Sequence, residues 1–166
     1  MSCAQEHLVK VKLTDKEVER VREIAGIRDK NKKRFSSTRH WTKDESTHFI
    51  GLLGEMAFAK YTGLDLDDNN YRYKGDGGID FSSKVTCQIK TTNYNNPALL
   101  CFYDHLNDFS ADYAVLAYRE SNNVIWLCGW VSRETFETES YIRNFGYGDR
   151  LVMRDIDLEP MWVNSA

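Results

Sequence analysis

Gln88-Ile89-Lys90 places an amide and an amine one strand step apart. On an extended segment Gln88 and Lys90 point to one face, and Cys87, Ile89 and Thr91 to the other. A lysine set among apolar neighbours is expensive to bury unless it faces a charge. Two acids upstream, Asp80 and Glu55, are the candidate partners. Glu55 stands in Gly51-Leu52-Leu53-Gly54-Glu55-Met56-Ala57, where helical spacing puts Gly51, Gly54 and Glu55 on one face. A glycine inside a helix costs about 1 kcal/mol relative to alanine. Close approach of the helix backbone to a neighbour would explain two of them, and would deliver the carboxylate into a crowded site. Asp80 follows Gly75-Asp76-Gly77-Gly78-Ile79, in which Asp76-Gly77 is a turn dipeptide. Each of these residues also has a plain role open to it. Glu55 can be an exposed helix carboxylate, Asp80 a turn residue, and Gln88 and Lys90 part of a solvated sheet face.

Charge is distributed unevenly around these residues. The whole chain of 166 residues carries a net charge of −3, which does not by itself suggest a nucleic-acid binder. Yet Arg28 to Lys43 holds seven bases (Arg28, Lys30, Lys32, Lys33, Arg34, Arg39, Lys43) against Asp29 alone. Asp65 to Asp80 holds five acids against two bases. A basic segment beside an acidic pocket suits a protein that holds a polyanion and a metal together; a solvated basic loop is the alternative.

The elements that must position these groups follow from periodicity and caps. His7 to Leu13 alternates and predicts a short strand. Thr14 and Glu17 form a capping box, followed by the stripe Val18, Val21, Ile24 and Ala25, with Gly26 as the expected stop. The basic segment 28–43 is expected as a loop. Thr42 and Glu45 make a second capping box for a helix from Lys43 to Tyr61, ended by Gly63. Tyr71 to Lys74, Ile79 to Phe81, Val85 to Thr91 and Ala98 to Tyr103 read as extended, with a turn at Ser82 to Lys84. Tyr113 to Tyr118 and Val124 to Val131 read as a hairpin. Ser132 is expected to cap a helix reaching Tyr141, and Leu151 to Met153 to add a strand. Helix, then strands, then a little more helix indicates an α/β or α+β fold with a mixed sheet, in one domain spanning 1–166.

No apolar run exceeds six residues, far short of the roughly 20 of a membrane span. No secretory leader is legible near the start. The four cysteines, Cys3, Cys87, Cys101 and Cys128, show no CxxC or zinc spacing. Three of them lie in apolar strand-like runs, so reduced thiols in a cytoplasmic protein with no membrane partner are expected.

A helical Glu, then Asp, then Gln-x-Lys on the next strand resembles the PD-(D/E)XK nuclease superfamily, named for an Asp followed by Asp/Glu-x-Lys on a β-hairpin. Asp80 matches the first acid, with Ile79 where the pattern often has Pro. Lys90 matches the lysine, and Glu55 the helical Glu that many members carry after Gly. Gln88 departs from the usual Asp or Glu, as it does in some active members. The resemblance covers about Thr47 to Val131. It implies a restriction-endonuclease-like core, a central mixed sheet flanked by helices, with the catalytic part at about 43–131.

The implied activity is Mg²⁺-dependent hydrolysis of DNA phosphodiester bonds, with Mn²⁺ able to substitute. The implied site residues are Glu55, Asp80, Gln88 and Lys90. Asp80 would be the central metal ligand. The Gln88 side-chain carbonyl, the Ile89 backbone carbonyl and Glu55 would complete the set, and Lys90 would orient water or stabilise the transition state. Gln88 gives the site one negative charge fewer, so weaker metal binding is expected. Lys32, Lys33, Arg34, Arg39 and Lys43 are candidate phosphate contacts, with His48 beside them; Tyr94 could stack on a base. No specificity module is recognisable, so specificity would come from loops, a homodimer or a partner protein. An endonuclease of phage or mobile-element type is the leading expectation. A catalytically inactive nuclease-fold module that binds nucleic acid or a protein partner is the alternative, and Gln88 is the feature that favours it.

Overall fold

Two long apolar runs make the centre of the fold. Tyr113–Ser121 (β5) and Val124–Ser132 (β6) pair antiparallel around a turn at Asn122 and Asn123. Their buried residues are Ala, Val, Leu, Ile, Cys and one Gly, as expected for strands covered on both faces. In the computed structural model, which describes residues 8–33, 47–66, 81–82, 85–94, 99–103, 108–146 and 148–161, this hairpin is flanked on both sides. Val9–Lys12 (β1) pairs antiparallel with β6. Thr86–Thr92 (β3) runs parallel to β5, with Ile89 opposite Val115. Phe81–Ser82 (β2) pairs antiparallel with β3, and the five-stranded sheet has the order β1-β6-β5-β3-β2.

One face of this sheet is covered by Asp15–Lys33 (α1) and Thr47–Thr62 (α2). The Thr14–Glu17 capping box forms as expected: Glu17 N–H donates to Thr14 Oγ1 at 3.1 Å, and Thr14 N–H to Glu17 Oε2 at 2.8 Å. Lys60 pins α2 to this corner by donating to Lys12 O and Glu17 Oε2. Gly63 ends α2 as expected, at φ 78° with its N–H on Ala59 O.

The other face is covered by a second, three-stranded sheet of Leu99–Tyr103 (β4), Tyr141–Asn144 (β7) and Asp149–Arg154 (β8), in the order β4-β8-β7. Leu100, Phe102 and Met153 from this sheet pack with Ala114, Leu116 and Val131 of the first. Arg133–Glu139 (α3) adds Phe136, and its cap is the predicted one, Thr135 N–H donating to Ser132 Oγ. The protein is therefore mixed α and β, with a mixed sheet between helices and a smaller sheet.

Three expectations change. Gly26 does not stop α1, which runs on to Lys33. Arg28 to Lys33 of the basic segment is thus helix rather than loop. One glycine costs about 1 kcal/mol, and the packing of α1 on α2, together with good helix formers beyond it, offsets that. The helix after Ser132 stops at Glu139, and Tyr141 begins β7 instead. Ser82 belongs to β2 rather than to a turn. The second capping box (Thr42, Glu45) and the Tyr71 to Lys74 segment lie outside the described residues. Of the described cysteines, Cys87 and Cys128 are buried and Cys101 half-buried, all as free thiols.

Candidate functional site

Strand β3 has two different sides. Cys87 and Ile89 enter the helix-side core, and Thr91 Oγ1 reaches Gly51 O of α2 at 3.4 Å. Gly54 is where the helix touches the strand. A Cβ there would collide with Thr91 Oγ1 and stand 3.2 Å from Thr91 Cβ and 3.3 Å from Ala117 Cβ. The Gly-x-x-Gly reading is right for Gly54. It fails for Gly51, where an added Cβ would meet nothing within 4 Å.

Gln88 and Lys90 point the opposite way, toward the second sheet. Gln88 is only 5% exposed. Its Nε2 donates to the backbone O of Asp108 over a long 3.5 Å, and its Oε1 is buried with no hydrogen-bond partner. A buried carbonyl oxygen left without a partner costs about 1–3 kcal/mol. Lys90 is half-buried. Its ammonium lies 4.9 Å from the Phe102 ring centroid, a cation–π contact rather than an ion pair.

Phe102 is held by Phe109 (centroids 4.8 Å apart, stacked) and Phe136 (5.2 Å, edge-on), so the perch under Lys90 is rigid. Burial raises the pKa of the Cys101 thiol next to it, while Arg143, Arg150 and Lys90 pull it down. Arg143 and Arg150 are directly opposed across β7 and β8 and so share a face.

The remaining expected residues fall in several places. Glu55 is 8% exposed, within an unbroken buried stretch from Leu52 to Ala59 of α2. Its helix packs on the Cys87, Ile89 and Thr91 side of β3, so the strand lies between that helix and the face carrying Gln88 and Lys90. Burying a carboxylate is costly without compensation, which sets Glu55 apart from an ordinary surface acid. Ile89 is buried in the helix-side core and pairs with Val115 in the parallel ladder. Asp80 lies outside the described residues and immediately precedes β2, whose Phe81 pairs with Cys87.

Lys32 and Lys33 are in the last turn of α1, while Arg34, Arg39 and Lys43 lie outside the described residues. His48, in the first turn of α2, has Nδ1 2.6 Å from Asp29 Oδ1 of α1. The acid that interrupts the basic segment thus ties the two helices together. Tyr94 is 80% exposed just past β3, and its N–H donates to Thr92 Oγ1.

Asp108 was not singled out from the sequence. Its Oδ2 is buried and unpartnered, and its backbone holds the Gln88 amide. It stands 20 residues beyond Gln88, on the far side of the β4 excursion, so no local spacing joins the two. The available signal was an acid directly before Phe109, which is fully buried.

Among the described residues no group of three or more His, Cys, Asp or Glu is arranged to hold a metal ion. Hard oxygen donors are nevertheless present on the Gln88 side of β3, in the unpartnered Gln88 Oε1 and Asp108 Oδ2. That donor chemistry fits Mg²⁺ or Mn²⁺. Among the described residues no helix is long and apolar enough to cross a membrane. No protein-family model, curated protein or solved structure matches the chain.

Proposed function

We propose that this chain is a metal-dependent phosphodiester hydrolase acting on DNA, with its chemistry on the Gln88–Lys90 face of β3. The observation that carries this reading is the Gln88 side chain, almost wholly buried with its carbonyl oxygen unpartnered, one strand step from a half-buried lysine. The antiparallel β2–β3 pair supports it, because Asp80 is the residue before β2 in the sequence and β3 carries Gln88 and Lys90.

Asp80, Gln88 Oε1 and the Ile89 backbone carbonyl would hold the cation; Glu55 stands on the helix side of β3, across the strand from Gln88, and is left out of this set. A bound Mg²⁺ or Mn²⁺ would supply Lewis acidity and an acidified water. The Lys90 ammonium does the rest of the electrostatic work. It is held in place by Phe102, donates to a non-bridging phosphate oxygen or to the attacking water, and balances the charge that develops on phosphorus. The bases of α1 at Arg28, Lys30, Lys32 and Lys33 and of the following segment would bind the phosphate backbone, without regard to sequence.

Cleavage of supercoiled plasmid, linear duplex, single-stranded and branched DNA with Mg²⁺ or Mn²⁺ tests this. Metal-dependent cutting lost in both Lys90→Ala and Asp80→Ala is the expected result, and Glu55→Gln reports on the helix carboxylate. Gln88 in place of a carboxylate favours a second reading, an inactive nuclease-fold module that binds nucleic acid or a protein partner. DNA bound but never cut would establish that one instead.

A further inference from the structure

Two neighbouring residues each keep a buried side-chain oxygen without a hydrogen-bond partner. Gln88 Oε1 and Asp108 Oδ2 are both acceptors, both hidden from solvent and both without a hydrogen-bond partner. The residues are adjacent, because the Gln88 Nε2 donates to the backbone O of Asp108. That contact uses the amide's donor side and turns its carbonyl away from it. A carboxylate oxygen and an amide carbonyl oxygen are both acceptors, so the two do not satisfy each other.

Lys90, on the same face of β3, does not serve them; its ammonium lies over the Phe102 ring. Leaving both acceptors bare would cost about 1–3 kcal/mol each, and more for the charged one. A bound species that takes two oxygen ligands, one of them anionic, removes that cost.

We infer that Asp108 is a further ligand of the divalent cation held at Gln88, and that it supplies the negative charge which a carboxylate at position 88 would have brought. The inference rests on the metal-dependent reading above and deepens it. A neutral amide at position 88 weakens a cation site by one charge. An acid delivered by the loop before β5 restores that charge from another part of the chain. Fully buried Phe109 and buried Ala111 follow Asp108 directly and fix the chain on its C-terminal side.

Titration of the whole chain with Mn²⁺, followed by calorimetry and by the loss of free-ion electron paramagnetic resonance signal, tests this without any assay of cleavage. Asp108→Asn is expected to weaken Mn²⁺ binding at least tenfold while its melting temperature in EDTA stays at or above that of the unsubstituted protein. Gln88→Glu on the Asp108→Asn background is expected to recover most of the lost affinity, because the carboxylate returns to the other ligand. Mn²⁺ bound equally by the unsubstituted chain and by Asp108→Asn would overturn the role of Asp108 and leave the metal site standing. Asp108→Asn with a raised melting temperature and unchanged Mn²⁺ binding would make the acid a structural burden only. No Mn²⁺ bound by the unsubstituted chain would overturn the metal site and the Asp108 assignment together.

Discussion

The two sides of β3 put their polar groups to different uses. On the helix side, Thr91 meets α2 so closely that position 54 has no room for a Cβ, and Cys87 and Ile89 are buried in the core beside it. On the side facing the second sheet, Gln88 leaves an oxygen unpartnered and Lys90 sits on an aromatic ring instead of a carboxylate. Strand alternation makes this division possible, because each residue step changes the side and the two sides can serve different ends. One holds the sheet to the helices. The other keeps polar groups uncommitted in a mostly dry setting, where a cation or phosphate would be bound strongly.

If the reactive side depends on a rigid aromatic floor, breaking the floor should disturb both stability and site. Phe136→Ala removes the fully buried ring that packs edge-on against Phe102, and should cost about 3–5 kcal/mol by urea denaturation. On the packed side, Gly54→Ala should cost about 1–3 kcal/mol through overpacking against Thr91 and Ala117. Gly54→Ala with Thr91→Ala should recover part of that loss, since the Oγ1 collision goes and the Ala117 contact stays. Neither Gly54 variant should change Mn²⁺ affinity. A change there would mean the two sides of β3 are coupled.

Phe102→Leu keeps an apolar side chain but removes the ring face beneath Lys90, which is worth about 0.5–1 kcal/mol at a partly exposed site. It should lower the cleavage rate several-fold more than it lowers stability, as judged from cleavage assays and melts run side by side.

The smallest expected effect lies at the corner of α1, far from the site. Burial pushes the Glu17 carboxyl up. The Thr14 backbone N–H, Lys60 and the Thr14 hydroxyl outweigh it, and hold the group below its ordinary value of 4.5. A depressed folded-state pKa adds stability above the unfolded value and loses it as pH falls through the folded one. Glu17→Gln should therefore be less stable than the unsubstituted protein at neutral pH, by less than about 1 kcal/mol for so exposed a pair. The gap should close below pH 4. A gap that widens in acid would contradict the assignment.

Much of this division was legible in the residues themselves. The alternation of Cys87 to Thr91 separates the two sides, the capping box starts α1, and Gly54 marks a tight helix contact. Ser132 caps α3, and the apolar runs of β5 and β6 form the central hairpin. What was not legible depends on long-range contacts or lacks a pattern. All four residues of β7 are exposed, so no burial periodicity marks it, and Tyr141 reads equally well as the end of a helix. Gly26 carries a local stop signal that packing on α2 overrides. Asp108 reaches Gln88, and Phe102 reaches Lys90, only because the second sheet folds across the first. His48 meets Asp29 of α1 at 2.6 Å, a contact between helices that no local spacing announces.

The most direct test sets one residue from each side of β3 against the other. Ile89→Ala and Lys90→Ala would each be measured for urea stability and for Mg²⁺-dependent DNA cleavage at low temperature, per mole of folded protein. The expected result is a double dissociation. Ile89→Ala should lose about 2–5 kcal/mol of stability yet cleave at a rate close to that of the unsubstituted chain, and Lys90→Ala should keep its stability and lose cleavage a hundredfold or more. Lys90→Ala cleaving at the full rate, or stability and cleavage falling in parallel in both variants, would contradict the division of β3 into a packed side and a reactive one.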